Sequence, residues 1–266
     1  MVLPPVADTG NGPAIVALHG WGQTGRSFAP LARALADGFR VISFDFPGHG
    51  TAKDVGGPYT FKRYAEFVGE MVSSLKLERF HLLGWSMGGT VGSIYTNGGF
   101  GPKPDSLIML SATPKFVIPE KNLGIGQHPA AVKKMERMIK ADHDAGLRDF
   151  IGRLFASGET IAPELTPIIE DAFFGGDFPP LKEALLSTLS DMSQTDLTEG
   201  ASISPLPVLI ICGGADKINP VGGQKLWRSV FRDLREVFLD GAGHAPHLTR
   251  TADTAEAVRV FLSSLE

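Results

Sequence analysis

FHLLGWSMGG, Phe80 to Gly89, is the stretch on which the reading of this 266-residue chain turns. Phe80, Leu82 and Leu83 read as the end of a buried parallel strand, where both faces are covered and strict alternation is not required. Gly84-Trp85-Ser86-Met87-Gly88 then forms a G-x-S-x-G pattern, and Gly89, Thr90, Val91 and Ile94 continue at helical spacing. Strand, sharp turn and helix together are the context in which the pattern marks a nucleophile elbow. A serine at the tip of so tight a turn takes strained backbone angles, and glycine two residues away on either side relieves the crowding. The same geometry puts the Ser86 hydroxyl at a helix N-terminus, where free N–H groups favour developing negative charge. With 32 glycines in the chain the pattern alone is weak. A near match at Gly25-Arg26-Ser27-Phe28-Ala29 reads better as a helix start with Ser27 as N-cap.

Upstream, Ala14–Leu18 is a short apolar run read as a buried strand that ends in His19-Gly20-Trp21-Gly22, a turn able to bring backbone N–H groups to a reacting atom. A helix carrying Phe28, Leu31, Ala34 and Leu35 on one face follows. A second strand, Arg40 to Asp45, runs into the turn Pro47-Gly48-His49-Gly50. Thr60 is the expected N-cap of a helix reaching about Lys76, with Tyr64, Phe67, Val68 and Met71 on its inner stripe. Downstream of the elbow, Leu107–Leu110, Pro207–Cys212 and Glu236–Leu239 read as further strands, and a closing helix over about 252–265 carries Ala255, Val258 and Leu262. Alternating strands and helices predict an α/β fold with a mostly parallel central sheet flanked by helices. Between Pro114 and about Ser204 the rhythm breaks into helices near 130–141, 144–156, 163–173 and 180–190. The expected division is therefore a core of residues 1–113 and 205–266 and an inserted helical lid of residues 114–204.

A formal charge of −4 gives no case for nucleic acid or an acidic membrane surface as partner. Apolar runs fall short of the ~20 residues that span a bilayer, and Met1 to Pro13 lacks a charged-then-apolar signal pattern. The single cysteine, Cys212, excludes an internal disulfide and reads as a core residue. Neither H-E-x-x-H nor a dinucleotide-binding G-x-G-x-x-G is present, so no metal and no cofactor are expected. A monomer in the cytoplasm is the expectation.

A serine hydroxyl becomes a nucleophile only when a base takes its proton, and that base needs an acid to hold its tautomer. In an open parallel sheet such groups lie just past the carboxyl ends of the strands. Asp216 follows the Leu209–Cys212 strand through Gly213-Gly214-Ala215, and His244 follows the Glu236–Leu239 strand through Gly241-Ala242-Gly243. The order Ser86, Asp216, His244 is the one this architecture requires. Among the seven histidines, His247 is the second candidate base. His19 and His49 read as loop-shaping residues, His81 as an inter-strand residue, and His128 and His143 as exposed. Asp45, Asp191 and Asp196 compete with Asp216, Asp45 more simply tying down its own turn. Two oxyanion donors are expected, Met87 N–H after the nucleophile and Trp21 N–H from the turn after the first strand.

The chain resembles the α/β-hydrolase superfamily in His19-Gly20-Trp21-Gly22, Asp45-Phe46-Pro47-Gly48-His49-Gly50, Gly84 to Gly89, Gly213-Gly214-Ala215-Asp216 and Gly243-His244. Within it, the chain is most similar to the pimeloyl-[acyl-carrier-protein] methyl ester esterases of biotin synthesis. The grounds are His-Gly-Trp-Gly, Gly-Trp-Ser-Met-Gly-Gly, Ser111-Ala112-Thr113-Pro114 and Gly243-His244-Ala245-Pro246. The resemblance implies a serine carboxylesterase in which Trp21, Ser86, Met87 and His244 contact substrate, and Phe150 with the turn to Leu154 supplies the lid's share of the acyl pocket. His247 departs from it, standing where an aromatic is usual, and Thr251-Ala252-Asp253 replaces a His-Pro-acid turn.

A carrier-protein substrate implies a basic lid face. Lys133, Arg137 and Lys140 fall on one predicted helix face, with Arg148 and Arg153 beyond, although Glu136, Asp142, Asp144 and Asp149 are interspersed as on any solvated amphipathic helix. A general short-chain esterase, a lactonase or C–C hydrolase on the same triad, and a slow-turnover ligand receptor of this fold remain the alternatives.

Overall fold

The computed structural model describes residues 4, 6–118, 124–159, 161–167, 170, 179–199 and 204–265. Its strands are β1 (Ala7–Thr9), β2 (Ala14–Leu18), β3 (Arg40–Phe44), β4 (Phe80–Trp85), β5 (Ser106–Leu110), β6 (Val208–Gly213) and β7 (Leu234–Leu239). They form one sheet in the order β1-β3-β2-β4-β5-β6-β7. All pairings are parallel except β1 against β3. The edge strand β1 goes beyond the sequence reading: three residues with no apolar alternation give no signal, and a bidentate pair between Arg40 and Asp8, Nε to Oδ1 at 2.9 Å and Nη2 to Oδ2 at 2.6 Å, helps to hold it.

Both faces of the sheet are covered, which is why its strands read as unbroken apolar runs. Val16, Leu18, Leu82, Ile210 and Cys212 point into one core with Tyr64, Phe67, Val68 and Met71 of α2 (Phe61–Ser74) and Val91 of α3 (Met87–Gly98). Ile15, Ala17, Leu83, Leu209 and Ile211 point into the other, against Leu31 and Leu35 of α1 (Ala29–Leu35) and the final helix. Burial pushes the Cys212 thiol well up, consistent with a packing residue rather than a nucleophile. Thr60 caps α2 as expected, accepting from Arg63 N–H at 3.2 Å.

Between β5 and β6 the described residues include the helices α4 (Pro129–Ala141), α5 (His143–Gly152) and α6 (Lys182–Gln194). The closing helix, α7, spans Thr251–Ser263. Helix α5 stops at Gly152, short of the expected 156, because the chain turns there to meet the loop after β7. The helix expected at 163–173 lies partly outside the described residues; those that are described comprise a 3-10 turn at Pro163–Leu165 and helical residues at 166, 167 and 170.

Two further expectations need correcting. Ser27 is no N-cap; it sits in a 3-10 turn, Gly25–Phe28, that precedes the α-helix beginning at Ala29, and its hydroxyl donates back to Thr24 O at 2.9 Å. His143 is half-buried rather than exposed, its Nε2 lying 2.9 Å from Pro180 O.

Register explains why distant loops converge. Leu18 lies opposite Gly84, Trp85 opposite Leu110, and Gly213 opposite Leu239, so β2, β4, β5, β6 and β7 end along one rim. The turns carrying Trp21, Ser86, Asp216 and His244 all leave from it.

Candidate active site

Ser86 adopts φ 53° and ψ −116°, left-handed angles that an L-residue takes only under constraint. The constraint is the backbone around it. Ser86 N–H donates to Leu110 O at 2.8 Å, and the N–H groups of Gly89 and Thr90 return to Ser86 O at 3.0 and 3.2 Å. A Cβ at Gly84 would stand 2.4 Å from Gly88 O, and one at Gly88 only 2.1 Å from Leu18 O. The first glycine thus clears the turn itself, whereas the second lets helix α3 press against the end of β2.

That contact brings the His19–Gly22 turn beside the serine. His19 is fully buried and accepts Phe46 N–H on Nε2 at 2.9 Å, which leaves the proton on Nδ1 to donate to Gly20 O at 2.8 Å. Burial lowers its pKa against the opposing pull of Asp45, so the ring stays neutral and works as a brace. Asp45 ties its own turn, accepting from Thr51 N–H and hydroxyl at 2.7 and 2.9 Å. The Trp21 indole donates to Leu185 O at 3.1 Å and meets Phe150 edge-on at 4.8 Å between ring centres. At the start of α3 the Met87 N–H has no intrahelical acceptor, and no partner for it or for Trp21 N–H occurs among the described residues.

Asp216 and His244 meet in the interior. His244 Nδ1 lies 2.8 Å from Asp216 Oδ2, with both side chains almost wholly excluded from solvent. Asp216 Oδ1 accepts from Ile218 N–H at 2.8 Å and Asn219 N–H at 2.9 Å. A carboxylate so anchored accepts the hydrogen bond of Nδ1–H, which fixes the tautomer with Nε2 as the ring's acceptor nitrogen. That nitrogen is buried and makes no hydrogen bond among the described residues. The backbone around it is held from two sides, by Trp85 Nε1–H to His244 O at 2.7 Å and by His244 N–H to Leu154 O at 2.7 Å.

His247, the rival base, packs 4.5 Å from Trp85 and 5.3 Å from Phe28, ring centre to ring centre. Neither of its nitrogens has a hydrogen-bond partner among the described residues. Burial, reinforced by nearby His244, lowers its pKa to about 3. The unfolded chain therefore takes up a proton here below about pH 6.5 while the folded one does not until near 3. Stability at this site is unaffected above that range and is lost as pH falls through it. Replacing His247 by Phe should remove this site's share of the acid sensitivity, leaving that of the buried His19 and His49 in place. Measured by thermal denaturation, the variant should gain on the parent by on the order of 1–2 kcal/mol between pH 8 and pH 5. An unchanged difference across that range would refute the account.

Ser86 opens into a cavity of about 630 Å³, within the ~300–1,000 Å³ usual for small-molecule sites. Trp21, Phe150 and Ile218 line it with Val132 and Met135 of α4 and Leu189 and Met192 of α6. Phe116 and Phe155 complete the apolar wall, and Arg153 and Lys217 bring cationic groups to it. Met87 and Ser86 border a second, much smaller hollow of about 10 Å³ with Thr90, Thr113 and Asn219, room for about one water. Leu154 departs from expectation: it is fully buried, and Phe150, Arg153 and Phe155 face the cavity in its stead while its carbonyl holds His244. The α4 and α6 contributors were not singled out by sequence, although Val132 and Met135 sit at the i, i+3 spacing of an inner stripe.

Lys133, Arg137 and Lys140 are exposed on α4, and Arg148 and Arg153 are exposed beyond it. Lys140 pairs with Glu136 and Arg153 with Asp149, each at 2.5 Å. Among the described residues there is no cluster of groups able to hold a metal ion, and no helix is long and apolar enough to cross a membrane.

The chain belongs to the alpha/beta hydrolase family, whose model matches residues 15–257. More particularly, it is similar to proteins named pimeloyl-[acyl-carrier protein] methyl ester esterase. That of Xanthomonas campestris pv. campestris (strain B100) is 29% identical over 265 residues, 96% of this chain and 97% of the relative. That of Xanthomonas oryzae pv. oryzae (strain MAFF 311018) is 30% identical over 263 residues, with the same coverage. Among solved structures, the bromoperoxidase from Bacillus anthracis and an esterase from Exiguobacterium antarcticum share the fold. Each has a TM-score of 0.86 at 23% identity, over 97% of this chain and 94% of theirs.

Proposed function

We propose that this carboxylic ester hydrolase is a serine esterase whose substrate is a methyl ester at the end of an acyl chain borne by an acyl carrier protein, pimeloyl-[acyl-carrier protein] methyl ester in biotin synthesis. The observation that carries the reaction is the buried His244–Asp216 pair, with Nε2 unengaged, on the rim from which Ser86 opens into the cavity. Ser86 Oγ attacks the ester carbonyl while His244 Nε2 takes its proton, and Asp216 stabilises the resulting imidazolium. The oxyanion is held by the Met87 and Trp21 N–H groups. Methoxide leaves as methanol on the proton returned from His244, and a water activated by the same nitrogen then splits the acyl-enzyme.

Support for the substrate comes from the names of the relatives and from the shape of the site. An apolar-lined cavity of about 630 Å³ suits an extended methylene chain, and the described part of residues 114–204, which supplies much of its wall, would serve as the lid. Lys133, Arg137, Lys140 and Arg148 would meet the acidic carrier on the outer side of that lid, with Arg153 at the cavity wall. Such chemistry fits a cytoplasmic monomer. The test compares methyl esters of a dicarboxylic acyl chain, carrier-bound and free, with a lactone and short p-nitrophenyl esters. Preference for the carrier-bound methyl ester by about tenfold or more in kcat/KM, together with rescue of a biotin-requiring strain lacking its own methyl esterase, is expected. Good turnover of short esters with neither preference nor rescue would reduce the reading to a general esterase.

A further inference from the structure

Gly243, immediately before His244, is covered by a strand-less strap running from Leu154 to Glu159. A Cβ built at Gly243 would lie 2.6 Å from Leu154 O, 2.7 Å from Ala156 N and 2.8 Å from Glu159 Oε2, so only glycine permits the approach. The strap uses that closeness. Leu154 O accepts His244 N–H at 2.7 Å. The Glu159 carboxylate accepts Gly243 N–H on both oxygens at 3.1 Å, and also accepts the Thr249 hydroxyl. The carboxylate is itself steadied by Ala156 N–H at 2.8 Å. One acidic side chain thus joins the segment before the imidazole, the segment after it, and the strap.

We propose that Glu159 is a positioning residue for His244, locking the loop that carries the imidazole so that Nε2 faces Ser86; the proposal rests on the serine-esterase reading above. Two features set this carboxylate apart from ordinary loop packing. Its acceptors are spent on backbone and hydroxyl donors that flank His244 on both sides, at 243 and 249. The same strap also lines the substrate cavity through Arg153, Phe155, Ala156 and Ser157. Acyl-chain contacts and imidazole placement therefore share one short piece of backbone. Small displacements of a catalytic group cost much in rate and little in binding, so loss of Glu159 belongs in kcat.

The experiment compares E159A, E159Q and T249V with the parent on p-nitrophenyl butyrate, with hydrogen exchange of residues 239–249 read by mass spectrometry. For E159A, kcat should fall about 10- to 100-fold with KM within about threefold, and exchange in that segment should accelerate. E159Q keeps an acceptor oxygen and should regain most of the lost kcat. T249V removes the hydroxyl that donates to Glu159 and lies 3.4 Å from Ala245 O, and leaves the bonds from Gly243 and Ala156 to the carboxylate. It should show a smaller loss of the same kind, which keeps the test open if E159A fails to fold. A folded E159A or T249V with parental kcat and exchange overturns the proposal, as does an E159Q no better than E159A. An active parent with an indifferent E159A brings down this proposal alone. A parent that hydrolyses no ester brings down the esterase reading, whatever exchange shows.

Discussion

Alanine in place of Ser86 is expected to lower kcat on a short p-nitrophenyl ester by at least about 10⁴-fold while leaving the thermal midpoint within about 2 °C of the parent. The two halves of this expectation have separate causes. The hydroxyl takes no part in capping α3, and the strained turn around residue 86 is built from the backbone bonds to Leu110 O and from Gly89 and Thr90. Alanine keeps the Cβ and those bonds, so it inherits the same left-handed angles at no new steric cost. Chemistry, by contrast, has no other oxygen to offer. Without the hydroxyl, the Met87 and Trp21 N–H groups can still polarise a carbonyl, which leaves a residual acceleration over water but no acyl-enzyme. Mass spectrometry after treatment with an organophosphate provides the complement: one adduct on the parent at Ser86 and none on the variant. A folded Ser86→Ala chain that keeps a tenth of its turnover would remove the nucleophile from this account.

Much of this arrangement is legible in the sequence because the backbone at the rim leaves compositional marks. Gly84 and Gly88 are required because a Cβ there would stand 2.4 and 2.1 Å from backbone oxygens, and sequence reasoning anticipates glycine at such turns. Asp216 and His244 each follow a glycine-rich exit from an apolar strand, so the rule that sites gather at carboxyl strand ends brings them together. What is not legible depends on approach between segments far apart along the chain. Leu154 looks like a pocket residue by hydropathy, yet its side chain is buried and its carbonyl does the holding. Glu159 looks like one more acid of a solvated segment; its connection to Gly243 and Thr249 spans 84 and 90 residues and has no periodic signature. Ser27 misleads in the opposite way, since its hydroxyl turns back to Thr24 O inside a 3-10 turn while the α-helix begins only at Ala29.

The second large effect is expected from Asp216→Asn. The two oxygens of this carboxylate face different partners: Oδ1 takes the N–H groups of Ile218 and Asn219, and Oδ2 takes His244 Nδ1–H at 2.8 Å. In the asparagine variant the amide oxygen remains best placed for the two backbone donors, which turns the NH₂ group toward the imidazole. Two donors cannot face each other, so His244 must move its proton from Nδ1 to Nε2. A protonated Nε2 cannot accept from Ser86, and kcat should fall by about 10⁴-fold although the loop keeps its shape and the thermal midpoint shifts little. The ¹⁵N chemical shifts of the His244 ring should report the exchanged tautomer directly. If the variant instead kept more than a tenth of its activity, another acid would have to serve. The alternatives are poorly placed, since Asp191 is engaged by Phe61 N–H at 2.7 Å and Asp196 by Lys115 at 2.5 Å. Retained activity would therefore point away from a histidine base oriented by a carboxylate at all, and toward a reaction that Ser86 and the oxyanion donors carry without it.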